Sequence, residues 1–173
     1  MKRRLGQTAL LLALSPLSGL VPAQGLPGPA PHMVDPEAER EAAPGSVGRI
    51  SLVQGDVRVS TDVGGEAELA VVNWPVTSRN QITTARGART EVRIGSTAIR
   101  LDGDSALDVV ALDEDQLRLH LHYGSATIRV RNIDVLRGFA ISTPHGRVTL
   151  REPGRVRVDA ERSPDTTVVQ LFD

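Results

Sequence analysis

Cysteine is absent from the 173 residues. That excludes a disulfide framework, a thiol nucleophile and a cysteine-based zinc or redox centre. Aromatic side chains are nearly absent as well: Trp74, Tyr123, Phe139 and Phe172 make up the whole 2%. So small a supply cannot furnish a base-stacking surface and argues against nucleic acid as a partner. The formal net charge of −1 argues against a general polyanion binder. Lysine occurs once, at Lys2, so the cations of the remainder are arginines. What is present in quantity is aliphatic: 20 Val, 19 Leu and 7 Ile, 46 residues in all. That supply suits a packed core and excludes a wholly disordered chain.

The first 24 residues read as a secretory signal. Lys2, Arg3 and Arg4 give a positive start, Ala9–Leu14 (ALLLAL) opens an apolar run, and Val21-Pro-Ala23 offers small residues before a cleavage point at Gln24. The run ends by Ala23 and is interrupted by Pro16 and Gly19. A bilayer span needs roughly 20 apolar residues, so export without a stable membrane span after cleavage is expected. Residues 25–46 hold Pro27, Pro29, Pro31, Pro36 and Pro44 beside an acidic stretch from Asp35 to Glu41. They read as a flexible linker, with a short helix over 36–43 as the competing possibility.

From Val47 onward the hydrophobic period is two. Ile50/Leu52, Val57/Val59, Val92/Ile94, Ile99/Leu101 and Val156/Val158 alternate with polar neighbours. Leu117-Arg-Leu-His-Leu-His-Tyr123 and Ala126-Thr-Ile-Arg-Val130 do so most strictly. Glycines at 55, 87, 95, 103, 124, 138, 146 and 154 fall at turn-like spacing. The reading is an all-β domain over 47–160, with 161–173 as an apolar, strand-like tail that docks as a strand, continues into further sequence, or pairs with a partner. Two internal repeats stand out. Gly95-Ser-Thr-Ala-Ile-Arg-Leu101 returns as Gly124-Ser-Ala-Thr-Ile-Arg-Val130. Gly48-Arg-Ile-Ser-Leu52 with Val57-Arg-Val59 returns as Gly146-Arg-Val-Thr-Leu150 with Val156-Arg-Val158. Repeated strand units suggest a β-solenoid-like stack of short strands; a β-sandwich of meanders is the alternative.

Over residues 47–159 the chain resembles the FecR domain of secreted bacterial proteins. The resemblance is carried by Gly48–Val59 (GRISLVQGDVRV), Gly87–Gly95, Ala98–Leu107, Leu119–Ala126 and Gly138-Phe-Ala-Ile-Ser-Thr-Pro144. In the last of these, Phe139 and Ile141 are expected to face inward. The resemblance implies a β-solenoid-like module of the bacterial envelope, periplasmic or secreted. Its best-known relatives are anti-sigma regulators that pass a signal inward. The chain departs from them in having Glu152–Val158 (EPGRVRV) where they carry a different strand. Neither a cytoplasmic sigma-binding domain nor a full transmembrane helix is expected of it. The function so implied is a non-enzymatic module that contacts another envelope protein or relays a signal.

Candidate chemistry is sparse. His120 and His122 share the wet side of one strand, the spacing of a zinc pair, yet catalytic zinc takes three protein ligands. Two solvated histidines are therefore the better reading, and no metal or other cofactor is assigned. Asp102-Gly-Asp104 and Asp113-Glu-Asp115 lack a calcium-loop pattern and read as turns. Ser96, Ser105 and Ser125 have no recognisable His–Asp set, so no catalytic residue is assigned. The most suggestive surface feature is a set of arginines in the polar phase of strands: Arg118, Arg129, Arg131, Arg147, Arg151, Arg155 and Arg157. If stacked, they form a cationic strip able to hold the phosphates or carboxylates of an anionic glycan. Against that, 47–162 holds 16 Arg and 15 Asp plus Glu, so neutralisation by neighbouring acids is the expected state.

Overall fold

The computed structural model describes residues 46–161 and 166–172. The expected signal segment and nearly all of the expected linker lie outside those residues. The described chain is built of strands with a single short 3₁₀ turn over Ile133–Arg137, so the all-β expectation holds. The strands are β1 (Gly48–Gln54), β2 (Val57–Ser60), β3 (Ala67–Leu69), β4 (Pro75–Val76), β5 (Gln81–Thr84), β6 (Arg89–Ile94) and β7 (Thr97–Leu101). After them come β8 (Ser105–Leu112), β9 (Leu117–Val130), β10 (Phe139–Thr143), β11 (Gly146–Val148), β12 (Gly154–Ala160) and β13 (Thr167–Phe172).

These strands hydrogen-bond into one curled sheet whose two halves share β9. The front half runs β4-β1-β6-β7-β9-β12-β13, and the back half runs β3-β2-β5-β8-β9-β10-β11. Pairing is antiparallel throughout except between β9 and β10, which lie parallel. The layering expected from the repeats therefore arises by curling an antiparallel sheet upon itself, and coil-on-coil parallel register is confined to that one pair.

The shared strand is where sequence and structure part most clearly. Gly124 reads as a turn between two strands, but β9 runs unbroken through it for 14 residues. Its φ of 89° lies in the left-handed region that glycine enters without a Cβ clash. There the strand leaves the back half, where Leu117–Tyr123 pair with β8, and enters the front half, where Ala126–Arg129 pair with β7. A Cβ at this position would run into Ser105 Oγ and come within 2.5 Å of Ser105 Cα.

The core lies between the two halves. Ile50, Val92, Ile99, Ile128 and Val156 are directly registered across five front strands and are 0–1% exposed. Val59, Ile82, Leu107 and Leu121 form the matching row of the back half. Each buried aliphatic side chain contributes about 1.5–3 kcal/mol. Phe139 and Ile141 face inward as expected, at 2% and 0% exposure. Leu52 does not. A register irregularity between Ile50 and Leu52 reverses the phase of β1, so Leu52 points outward and is exposed, whereas Val53 packs on the core.

Candidate functional site

Because side chains alternate, each half presents an outer face ruled into cross-strand rows. On the front face one row reads Pro75, Arg49, Arg93, Ala98, Arg129, Arg155, Phe172 across β4, β1, β6, β7, β9, β12 and β13. All four of its arginines are exposed. Two pairs of them, Arg49 with Arg93 and Arg129 with Arg155, are direct cross-strand neighbours. The next row reads Leu52, Glu91, Arg100, Thr127, Arg157, Gln170.

Charge on this face is unevenly compensated. Glu91 sits in the second row with its side chain only 8% exposed, bound by Arg93 Nε at 2.8 Å and Arg100 Nε at 2.6 Å. Ser51 Oγ donates a further bond at 2.9 Å. Burial pushes the Glu91 carboxyl up, but the bonds from Arg100, Arg93 and Ser51 outweigh it and hold the group at about 2. Arg157 is likewise engaged, donating to Asp102 Oδ2 at 2.7 Å and to Asp159. Its bonds to Asp159 and then Asp102 raise it further above its already high ordinary value. By contrast, Arg155 lies over the Phe172 ring at 4.6 Å, a cation–π contact. Arg49 and Arg129 meet no carboxylate within ion-pair distance among the described residues.

The seven arginines singled out in the sequence thus divide. Arg129, Arg155 and Arg157 come together on the front face. Arg118 of β9 and Arg147 of β11 lie on strands of the back half. Arg131 follows the end of β9, and Arg151 sits in the bend before β12, so neither is in a strand. Sequence reasoning missed Arg49, Arg93 and Arg100, which register brings into the same two rows. A signal was available: Gly-Arg-Ile, Val-Arg-Ile, Ile-Arg-Leu, Ile-Arg-Val and Val-Arg-Val each set one arginine between inward neighbours.

The back face carries a mixed row with a single arginine instead: Ser60, Gln81, Asp108, His120, Ser142, Arg147. Asp108, 6% exposed, accepts from Gln81 Nε2 at 2.8 Å and bonds His122 Nε2 at 2.7 Å. His120 Nδ1 lies 2.9 Å from Ser142 Oγ, and Ser142 Oγ also reaches the Leu119 carbonyl at 3.1 Å. The two histidine rings meet edge to face at 4.5 Å. Burial first, then the neighbouring His122, lowers the His120 pKa, while Asp108 pulls it the other way. Both imidazoles share one side of β9, as their spacing requires. No cluster of three metal-ligating side chains forms among the described residues. Asp113 Oδ1 accepts the backbone N–H of Asp115 at 2.9 Å and of Gln116 at 2.7 Å, the work of a turn residue.

A family model described as FecR protein matches residues 80–173, more than half of the chain. The chain belongs to the FecR family. No curated protein and no solved structure matches it. FecR proteins are bacterial, associated with the cell envelope, and regulatory or signalling in character. The matched segment of this FecR chain takes in β5 through β13, and so holds Arg93, Arg129 and Arg155 but not Arg49. No helix among the described residues is long and apolar enough to cross a membrane.

Proposed function

We propose that this FecR chain is a non-enzymatic, exported module that docks another envelope protein along β13, for contact or signal relay. One observation carries the reading. Leu171 continues the inward row of Ile50, Val92, Ile99, Ile128 and Val156, yet it is 74% exposed. Val169 is in the same phase and is also exposed. Among the described residues β13 pairs only with β12, so its outer edge presents backbone donors and acceptors beside uncovered aliphatic side chains. Such an edge takes an added strand readily, with main-chain bonds for affinity and side-chain pockets for specificity.

The test is a photo-crosslinking side chain placed at Leu171 in the native bacterium, with the same group at Val72, exposed in the loop before β4, as reference. A discrete protein adduct from position 171 that is absent from position 72, and is lost on Val169→Arg, supports the reading. Identical adduct patterns from both positions, or none, overturn it.

A further inference from the structure

We propose that the front face of this chain is a binding surface for a linear, carboxylate-bearing glycan, gripped by Arg49, Arg93, Arg129 and Arg155. Binding along this row does not depend on β13 docking, and the row carries a cost. Like charges directly opposite one another in a sheet destabilise it, and this row contains two such pairs. Arg93 turns its Nε to Glu91 and Arg155 lies over Phe172, but Arg49 and Arg129 meet no carboxylate among the described residues, and nothing in the fold calls for them. The inward neighbours Ile50, Val92, Ile128 and Val156 make the core contacts, while the arginines stand exposed in solvent.

The geometry selects the ligand. Neighbouring strands lie about 4.8 Å apart, so the row from β1 to β12 covers four strand steps, roughly 19 Å. The cations are in single file. Glu91 and Arg157 of the next row are already bound within the protein, and Asp102 and Asp159 stand beyond them. A duplex or an anionic membrane would press a broad field of anions onto those acids as well. A single extended chain with one anion per unit, each unit about as long as the strand spacing, meets the arginines alone. Planar guanidinium groups take carboxylates in paired hydrogen bonds. Ala98, the small member at the centre of the row, keeps the track open between its two arginine pairs.

The full purified chain is titrated with oligogalacturonate, with a neutral glucan, polyphosphate, single-stranded DNA and phosphatidylglycerol vesicles as parallel arms. Oligogalacturonate is expected to bind, weakening with salt, and Arg129→Gln and Arg49→Gln are each expected to lower affinity about tenfold. Arg147→Gln, on the back half, leaves it unchanged. Thermal unfolding supplies a second readout: removing a like-charge neighbour leaves Arg129→Gln at least as stable as the parent. Binding no tighter than to glucan, tighter binding to any of the other three anions, or affinity that survives Arg129→Gln in the folded variant overturns the proposal.

Discussion

Ile99 and Ile128 face each other directly across the β7–β9 pair, fully buried. They also hold equivalent places in the two copies of the internal repeat, 29 positions apart. The repeat is thus packed against itself in antiparallel register, with the two isoleucines at its local centre. Truncating either to alanine opens a cavity in a well-packed row and costs about 2–5 kcal/mol. Because the two are in contact, the double variant is expected to cost less than the sum of the singles. Urea unfolding of the four proteins checks both statements. Ile128→Asp places an unpaired carboxylate in the same row and prevents folding, read by circular dichroism and proteolysis.

Gly124 combines a left-handed backbone with a close neighbour, so it is expected to tolerate substitution poorly. Its φ of 89° and the closeness of Ser105 leave no room for a methyl group. Gly124→Ala should destabilise by at least about 2 kcal/mol, combining backbone strain with overpacking. Gly87→Ala is the useful comparison. It has a φ of 73° but open space around it, so it carries the strain alone. Equal losses in the two variants would refute the steric account of the β9 kink.

Acid should loosen the front half. The Glu91 carboxyl is held at about 2, against 4.5 for the free group. A depressed carboxylate stabilises the folded state fully above its unfolded value. That stability is lost as pH falls from about 4.5 toward 2. Glu91→Gln is expected to flatten the pH dependence in that window. At neutral pH it costs on the order of 1–3 kcal/mol through the weakened bonds to Arg93 and Arg100. Denaturant midpoints measured from pH 7 to pH 2 decide the matter.

The back face predicts a second pH effect at milder acidity. His120 is a base whose folded pKa lies below its ordinary 6.5. The unfolded chain therefore binds its proton first, and stability declines as pH drops through 6.5 and below. Chemical-shift titration of the His120 ring should place its midpoint under 6.5; a midpoint above that value would show that Asp108, not burial, dominates.

Asp108→Ala removes the acceptor shared by Gln81 and His122 at a site that is nearly closed to solvent. The loss should be about 1–3 kcal/mol, since two donors are left without their partner. Asp108→Asn keeps one carbonyl acceptor and is expected to recover part of it. Both are read by thermal unfolding at one fixed pH.

The alternation of aliphatic and polar residues was enough to establish an all-β domain, most of the longer strands and the inward placement of Phe139, Ile141, Ile99 and Ile128. Period-two patterning is local, and a strand with one dry face records it in the chain. The alternation also marked which arginines face water. It could not say which of them meet, because neighbours along a row belong to strands far apart in sequence, and register is set by the pairing itself. Arg49 and Arg129 reach one row only once β1, β6, β7 and β9 are aligned. The same limit applies to β8, whose Ser105–Val109 are all buried and show no period, and to Leu52, turned outward by one irregularity in β1. Gly124 is the clearest case. Its residue type announced a special backbone, but whether that backbone would end a strand or bend it was decided by Ser105 packing against it and by β7 and β12 waiting beyond the corner.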